Sequence, residues 1–150
     1  MTGSLSETRT LVLTLDTGGG VGAAREAVVA ELRRAGHRVG IASYATFPKA
    51  PELSVPSWRL PFGRPGLRTL TVGGITVHQV GCRLPELEWR HYAPSPLWDE
   101  VLAGYDQVVC VSGSVLPAWP AVAAGKPCLA WVGTPYDGDR KDRVRRFPLP

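Results

Sequence analysis

The chain has 150 residues, of which 44% are apolar and 20% charged, and its formal charge is +4 at pH 7. This composition is ordinary for a globular protein and excludes a disordered chain, and no apolar run approaches the ~20 residues that a membrane span needs. The polar amino terminus lacks the basic and apolar order of a secretory signal, so we expect one cytoplasmic domain over residues 1–150.

Charge and cysteine spacing argue against two further classes of site. The arginines are scattered except in the tail 137–146, where three aspartates interrupt them, and no basic face studded with aromatic residues accompanies them. We therefore predict no nucleic-acid partner, because phosphate-bearing small molecules explain a modest basic excess equally well. No pair of cysteines has the Cys-x-x-Cys spacing, so neither a metal nor a redox site is predicted.

The first forty-three residues predict a βαβ unit. The apolar run 10–15 is typical of a strand buried on both faces, and a glycine cluster follows it directly. Apolar residues at helical spacing then predict a helix over 21–35, which arginines and Gly36 end. Residues 38–43 supply the second strand.

The rest of the chain alternates loops, short strands and short helices. Five prolines between 44 and 66 predict an irregular loop over the carboxyl edge of the sheet. Residues 67–72 and 75–80 flank Gly73-Gly74, a good hairpin turn. Ser95-Pro96 begins a helix to about 103, and strands follow at 106–111 and 127–132, with a short helix over 115–124 between them.

This order predicts an α/β fold: a Rossmann-like, open, mostly parallel sheet with helices on both faces and a small β-hairpin insertion. The strand order should be close to 3-2-1-4-5. In such a sheet ligands bind beyond the carboxyl ends of the strands. Four segments should therefore converge there, namely 16–22, 43–47, 112–114 and 133–137.

The glycine cluster is the most informative of these segments. Gly18, Gly20 and Ala23 match the Gly-x-Gly-x-x-Ala variant of the dinucleotide fingerprint. An NAD-binding domain would also need an acid about twenty residues on, yet residues 32–51 contain none. An NAD(P)-dependent oxidoreductase domain stays an alternative, as does a tight turn that binds no ligand. No Gly-Lys-Ser/Thr follows the glycines, which excludes a P-loop.

Several segments together resemble the start of a GT-B glycosyltransferase, most closely one of family 4. That family has a Gly-Gly turn after its first strand, as at 18–22, and a Gly-His-x-Val segment that leads into the second, as at 36–39. Residues 106–109 (Asp-Gln-Val-Val) resemble its Asp-x-Val-Val strand, and residues 125–127 resemble its Gly-Lys-Pro turn.

The resemblance implies that this domain binds the acceptor, a small molecule or glycan, while a carboxyl-terminal domain of the parent protein holds the nucleotide-sugar donor. The isolated chain would then be an incomplete catalyst. The resemblance further implies retention of anomeric configuration with no metal and no cofactor. Backbone N–H groups of the glycine turn would stabilise charge on the leaving diphosphate. The residues facing that diphosphate would be Gly18, Gly19, Gly20, Val21 and Gly22.

The sequence departs from the family in its histidines. Many family members carry histidines after the strands that correspond to 108–111 and 129–132, where this chain has Ser-Gly-Ser and Gly-Thr. No catalytic residue is therefore assigned, and a non-catalytic partner domain of the same fold stays a third hypothesis. The candidates for acceptor binding lie in the loop before the helix at 96 and in the segments after the last two strands: His91, Tyr92, Ser112, Gly113, Thr134, Tyr136, Asp137 and Arg140.

Other aromatic residues receive structural or stacking roles. His78 alternates within a hairpin strand and is expected to be solvated, and Trp131 is expected in the core. Trp58 and Trp89 lie in loops rich in proline and arginine, where they are candidates to stack on a sugar or an apolar acceptor.

Overall fold

The computed structural model describes residues 7–14, 20–45 and 50–133. Within these ranges six strands form one sheet: β1 Arg9–Thr14, β2 Arg38–Tyr44, β3 Leu67–Val72, β4 Ile75–Val80, β5 Gln107–Ser112 and β6 Cys128–Val132. The α-helices are α1 Gly20–Arg34, α2 Pro96–Ala103 and α3 Trp119–Ala123. Short 3₁₀ turns lie at Ser57–Arg59, Glu88–Tyr92 and Leu116–Ala118.

The sheet has the order β3-β4-β2-β1-β5-β6, and every neighbouring pair is parallel except β3 with β4. Counted in chain order, the parallel strands lie 3-2-1-4-5, as predicted. The hairpin turn has φ +56° at Gly73 and +77° at Gly74, which glycine adopts without strain. Its second strand pairs with β2, so the hairpin is built into the sheet. The Rossmann-like α/β class is confirmed.

The two faces of the sheet bury different helices. On one face Leu11 and Leu13 pack with Trp98 and Leu102 of α2. The side chain of Val12 lies on the other face, because successive residues of a strand alternate between faces, and it packs with Val29 of α1. Helices therefore lie on both faces, and β1 is buried between them.

Caps place the helices as the sequence predicts. Ser95 caps α2, because its Oγ accepts a hydrogen bond from the backbone N–H of Trp98 at 3.4 Å. Gly36 ends α1 in the left-handed region at φ +83°, and the N–H of His37 donates to the carbonyl of Leu32 at 3.0 Å. This ending returns the chain to the start of β2.

Two expectations from the sequence are wrong. His78 is half-buried, not solvated, because Tyr105 packs edge-on against its ring at a centroid distance of 5.9 Å. Trp131 is 45% exposed, and its neighbour Leu129 is 66% exposed. β6 is the last strand at its edge of the described sheet, and none of the described helices covers Leu129 and Trp131. A strand lies in the core only where elements cover its faces.

Candidate functional site

The carboxyl ends of the parallel strands lie side by side at one edge of the sheet. Thr14 is in register with Ser43 of β2 and Val111 of β5, and Ser112 is in register with Val132 of β6. Neighbouring strands are about 4.8 Å apart, so these four ends form a continuous rim. Because α1 runs back from this rim to the start of β2, its amino terminus lies at the same edge.

The first turn of α1 offers backbone N–H groups and carries no acidic side chain. The described part of the predicted glycine turn is Gly20, Val21 and Gly22, which form this turn. Gly20 is exposed, and nothing lies within 4 Å of the position that a Cβ would take there. Val21 packs partly against the Val12 cluster and anchors the turn. Six other residues predicted for the site lie outside the described residues: Gly18, Gly19, Thr134, Tyr136, Asp137 and Arg140.

Ser112 ends β5, and Gly113 begins the loop that follows it at this edge. Ser112 is fully buried, and its Oγ accepts a hydrogen bond from the N–H of Ser114 at 3.3 Å. That bond turns the chain and leaves Gly113 exposed. Of the predicted acceptor residues here, Ser112 therefore shapes the loop, whereas Gly113 can contact a ligand through its main chain.

Tyr92 is a core residue, which corrects its assignment to the acceptor site. It is 2% exposed, and its ring packs edge-on against Tyr44 at a centroid distance of 4.8 Å. Burial raises the pKa of Tyr92 to about 12. The sequence could not show this, because Tyr92 follows a loop pattern and only the packed structure places it beneath the rim.

His91 has a protein partner at each ring nitrogen. Its Nε2 lies 3.1 Å from the carbonyl of Pro85, which can only accept, so Nε2 carries the proton. Its Nδ1 lies 3.4 Å from Sγ of Cys82. Burial raises the pKa of Cys82 to about 11, and the thiol therefore stays protonated and donates to Nδ1. Both ring nitrogens of His91 therefore already have protein partners, and neither is free to contact a sugar acceptor.

The proline-rich loop itself encloses a cavity of about 300 Å³. Val55, Trp58, Arg59, Phe62 and Arg64 are among the residues that line it. This loop runs over the carboxyl edge as predicted, since Val55 bridges to Arg83 beyond the end of β4. Sequence reasoning singled out Trp58 but missed Phe62 and the two arginines. Aromatic residues and arginines alternate along the loop from Trp58 to Arg64, and this pattern was the signal that could have identified them.

A second cavity, of about 320 Å³, lies at the opposite, amino edge of the sheet. His78 joins two residues there: its Nδ1 is 3.0 Å from Oγ1 of Thr69 and its Nε2 is 3.0 Å from the hydroxyl of Tyr105. Burial lowers the pKa of His78. Arg9 pairs with Asp106 at 3.0 Å nearby and lowers the pKa of that carboxyl group. This cavity is at the wrong edge for the ligand site that the fold predicts.

The described residues show neither a metal cluster nor a membrane span. No group of three or more histidine, cysteine, aspartate or glutamate side chains converges within residues 7–14, 20–45 and 50–133. Over the same ranges, no helix has the length and apolar character required to cross a membrane.

Sheet order, helix placement and the rim of loops define a Rossmann-like α/β domain with its candidate site at the carboxyl edge. No protein-family model matches the sequence, and comparison with curated proteins and with solved structures finds no significant match.

Proposed function

We propose that this chain is the acceptor-side domain of a retaining glycosyltransferase that takes its sugar from a nucleotide-sugar, similar to GT-B enzymes of family 4. The observation that carries the proposal is the position of the first turn of α1. It lies at the carboxyl edge of β1, it contains Gly20 and Gly22, and it has no acidic side chain.

Such a turn suits a diphosphate for two physical reasons. The first N–H groups of a helix have no partner within the helix, and the helix dipole adds partial positive charge at that end. Glycine lets a phosphate approach the backbone closely. During sugar transfer, negative charge grows on the departing diphosphate, and fixed N–H groups at this place would stabilise it.

The end of β2 argues against a dinucleotide at the same rim. An NAD site needs an acidic side chain there for the ribose hydroxyls. Ser43 and Tyr44 occupy this end, both are buried, and the Tyr44 hydroxyl bonds to the carbonyl of Pro117. Neither side chain can replace the acid without leaving the core.

The acceptor would lie against the exposed main chain of Gly113 and the proline-rich loop above β4. In this proposal a second domain of the parent protein supplies the opposite wall of the cleft and most of the donor contacts. We propose that the isolated domain binds nucleotide weakly, with a dissociation constant of about 1 mM or above, since only one wall is present.

Amide chemical shifts measured on the ¹⁵N-labelled chain test this proposal. UDP and GDP, each titrated to about 5 mM, should shift the amides of Gly20, Val21 and Gly22, whereas UMP and GMP should shift them less. Absence of shifts at these three amides would count against the diphosphate-facing role. Micromolar binding of NADP⁺ by calorimetry would instead establish the oxidoreductase alternative.

A non-catalytic partner domain is the second candidate. The observation that favours it is the exposed apolar surface of Leu129 and Trp131 on β6, which suits burial against another chain or domain. If neither nucleoside diphosphates nor NADP⁺ shift any amide at the carboxyl edge, this candidate replaces the transferase.

A further inference from the structure

The proline-rich loop presents two large aromatic side chains to solvent. Phe62 is 95% exposed and Trp58 is 67% exposed. Together with Arg59 and Arg64 they line the 300 Å³ cavity that the loop encloses. We call residues 57–64 the aromatic loop. Because both aromatic side chains border the same cavity, they form one exposed apolar patch, and such patches mark surfaces for interaction.

Hydrogen bonds hold the aromatic loop in place, so the exposure of Phe62 is a property of a fixed turn. Oε1 of Glu86 accepts from the N–H of Ser57 at 2.8 Å and from its hydroxyl at 3.1 Å. The N–H groups of Phe62 and Gly63 both donate to the carbonyl of Arg59, at 3.1 and 3.0 Å.

Close packing under Gly63 adds to this restraint. A Cβ at Gly63 would lie 2.6 Å from Cγ1 of Val55, which is buried. The backbone therefore rests directly on the protein beneath it, while the Phe62 side chain stays 95% exposed. A loop restrained on its inner side loses little conformational entropy when its outer side binds.

The charges around the aromatic residues favour an anionic partner. Glu52 is paired with the cation of Arg68, whereas Glu86 keeps its negative charge and accepts from Ser57 at the start of the loop. Arg59 and Arg64 have no carboxylate partner among the residues that the structure describes. The loop therefore offers two cations beside two exposed aromatic rings.

We propose that the aromatic loop docks the protein on an anionic lipid surface. Aromatic rings prefer the boundary between headgroups and acyl chains, and arginines beside them reach the phosphate layer a few ångströms further out. A folded protein partner is less well matched, because an interface anchor normally fills a pocket in its partner within a ring of contacts that excludes water, whereas Phe62 is 95% exposed on one short loop. The acceptor is proposed to lie against the same proline-rich loop, but the docking does not depend on the transferase function, because vesicle binding needs neither a sugar donor nor an acceptor.

Vesicle co-sedimentation of the whole chain tests the docking. The protein should sediment with vesicles of phosphatidylcholine and phosphatidylglycerol at about 70:30 and stay in solution with phosphatidylcholine alone. Phe62→Ala should lower the partition coefficient about tenfold, because less apolar area enters the interface. Arg59→Gln with Arg64→Gln should lower it about thirtyfold, and added salt should weaken wild-type binding.

Two matched variants separate the loop from the protein as a whole. Arg33→Gln with Arg34→Gln also removes two positive charges, but from the end of α1. Val72→Ala shortens an exposed apolar side chain on β3. Each should change the partition coefficient by less than about threefold. Circular dichroism of each variant checks that the fold is intact.

Several outcomes would overturn the proposal. If the Arg59/Arg64 and Arg33/Arg34 double variants lower the partition coefficient equally, net charge alone explains the binding. Equal binding to neutral vesicles, or none to anionic ones, would exclude anionic lipid. Saturable shifts of the Arg59 and Arg64 amides by about 10 mM inorganic phosphate, without vesicle binding, would show a free-anion site in place of a membrane surface.

Discussion

The hydroxyl of Tyr44 donates a hydrogen bond of 2.7 Å to the carbonyl of Pro117. It thereby joins the last residue of β2 to the 3₁₀ turn that follows β5. Tyr44 is buried, and its ring packs against Trp98 at a centroid distance of 5.1 Å. Burial raises the pKa of Tyr44 well above its usual value, so the hydroxyl keeps the proton that it donates. One side chain thus holds two loops of the candidate site together.

Replacing Tyr44 with phenylalanine should lower the free energy of unfolding by about 1–3 kcal/mol, because the buried carbonyl of Pro117 loses its donor. Tyr92→Phe is the matched control. Within the described part of the chain the Tyr92 hydroxyl has no hydrogen-bond partner, so its removal should change stability by less than about 0.5 kcal/mol. Urea unfolding followed by tryptophan fluorescence measures both. Equal effects would contradict a specific role for the Tyr44 bond.

Replacing Gly40 with alanine should destabilise the domain by about 2 kcal/mol or more. A Cβ there would lie 1.9 Å from the hydroxyl oxygen of Tyr105 and 2.5 Å from the adjoining ring carbon, so strand and ring must move apart. Gly104→Ala is the control. A Cβ at Gly104 would lie no closer than 3.4 Å to any neighbouring atom, and its φ of −74° suits any residue. If the clash is the cause, Gly40→Ala should cost much less in a Tyr105→Ala background, which a double-mutant cycle measures.

Stability should fall as the pH drops through the range where histidine ordinarily titrates. Burial lowers the pKa of His78, so between its folded value and about 6.5 the unfolded chain binds more protons than the folded chain. His78 therefore makes its full contribution to the free energy of unfolding above about pH 6.5, and that contribution is lost as the pH falls through the folded pKa. His78→Gln should flatten the dependence of the urea midpoint between about pH 7 and pH 5.

Carboxyl groups do not obscure this test. Glu52, Glu86 and Asp106 have lowered pKa values, so their contributions disappear only at more acidic pH. An unchanged slope in the His78→Gln variant would show that the titration arises elsewhere.

Gly20→Glu should move helix stability and nucleotide binding in opposite directions. A carboxylate in the first turn of α1 interacts well with the helix dipole and should stabilise the domain by about 0.3–1 kcal/mol. The same charge should repel a diphosphate and abolish the amide shifts that UDP and GDP cause. Gly20→Gln adds the same bulk without the charge, so it should weaken those shifts without abolishing them. Loss of binding in both variants would indicate a steric effect and not an electrostatic one.

Local patterns predicted most of the fold. The apolar run of β1, the helical spacing of α1 and its end at Gly36 each depend on neighbours within a few residues, and all three appear where the sequence placed them. The Gly73-Gly74 hairpin and the Ser95 cap follow the same logic. Strand order could also be anticipated, because right-handed crossovers leave few arrangements for a chain of this pattern.

The candidate site was harder to predict, since its residues come from distant parts of the chain. The sequence correctly put the start of α1 and the loop after β5 at the carboxyl ends of their strands. It could not show that Tyr92 would pack on Tyr44, or that the ring nitrogens of His91 would meet Cys82 and Pro85. Those contacts depend on the path of the 3₁₀ turn, which no periodicity encodes.

The sequence by itself therefore determined the elements, their order and the edge at which ligands should bind. Only the tertiary structure decided which polar and aromatic side chains are exposed. His78 lies half-buried because Tyr105, twenty-seven positions away, packs on it, and Trp131 is exposed because no described helix covers it. Secondary structure follows from local backbone and side-chain preferences, whereas burial depends on contacts between residues far apart in the chain.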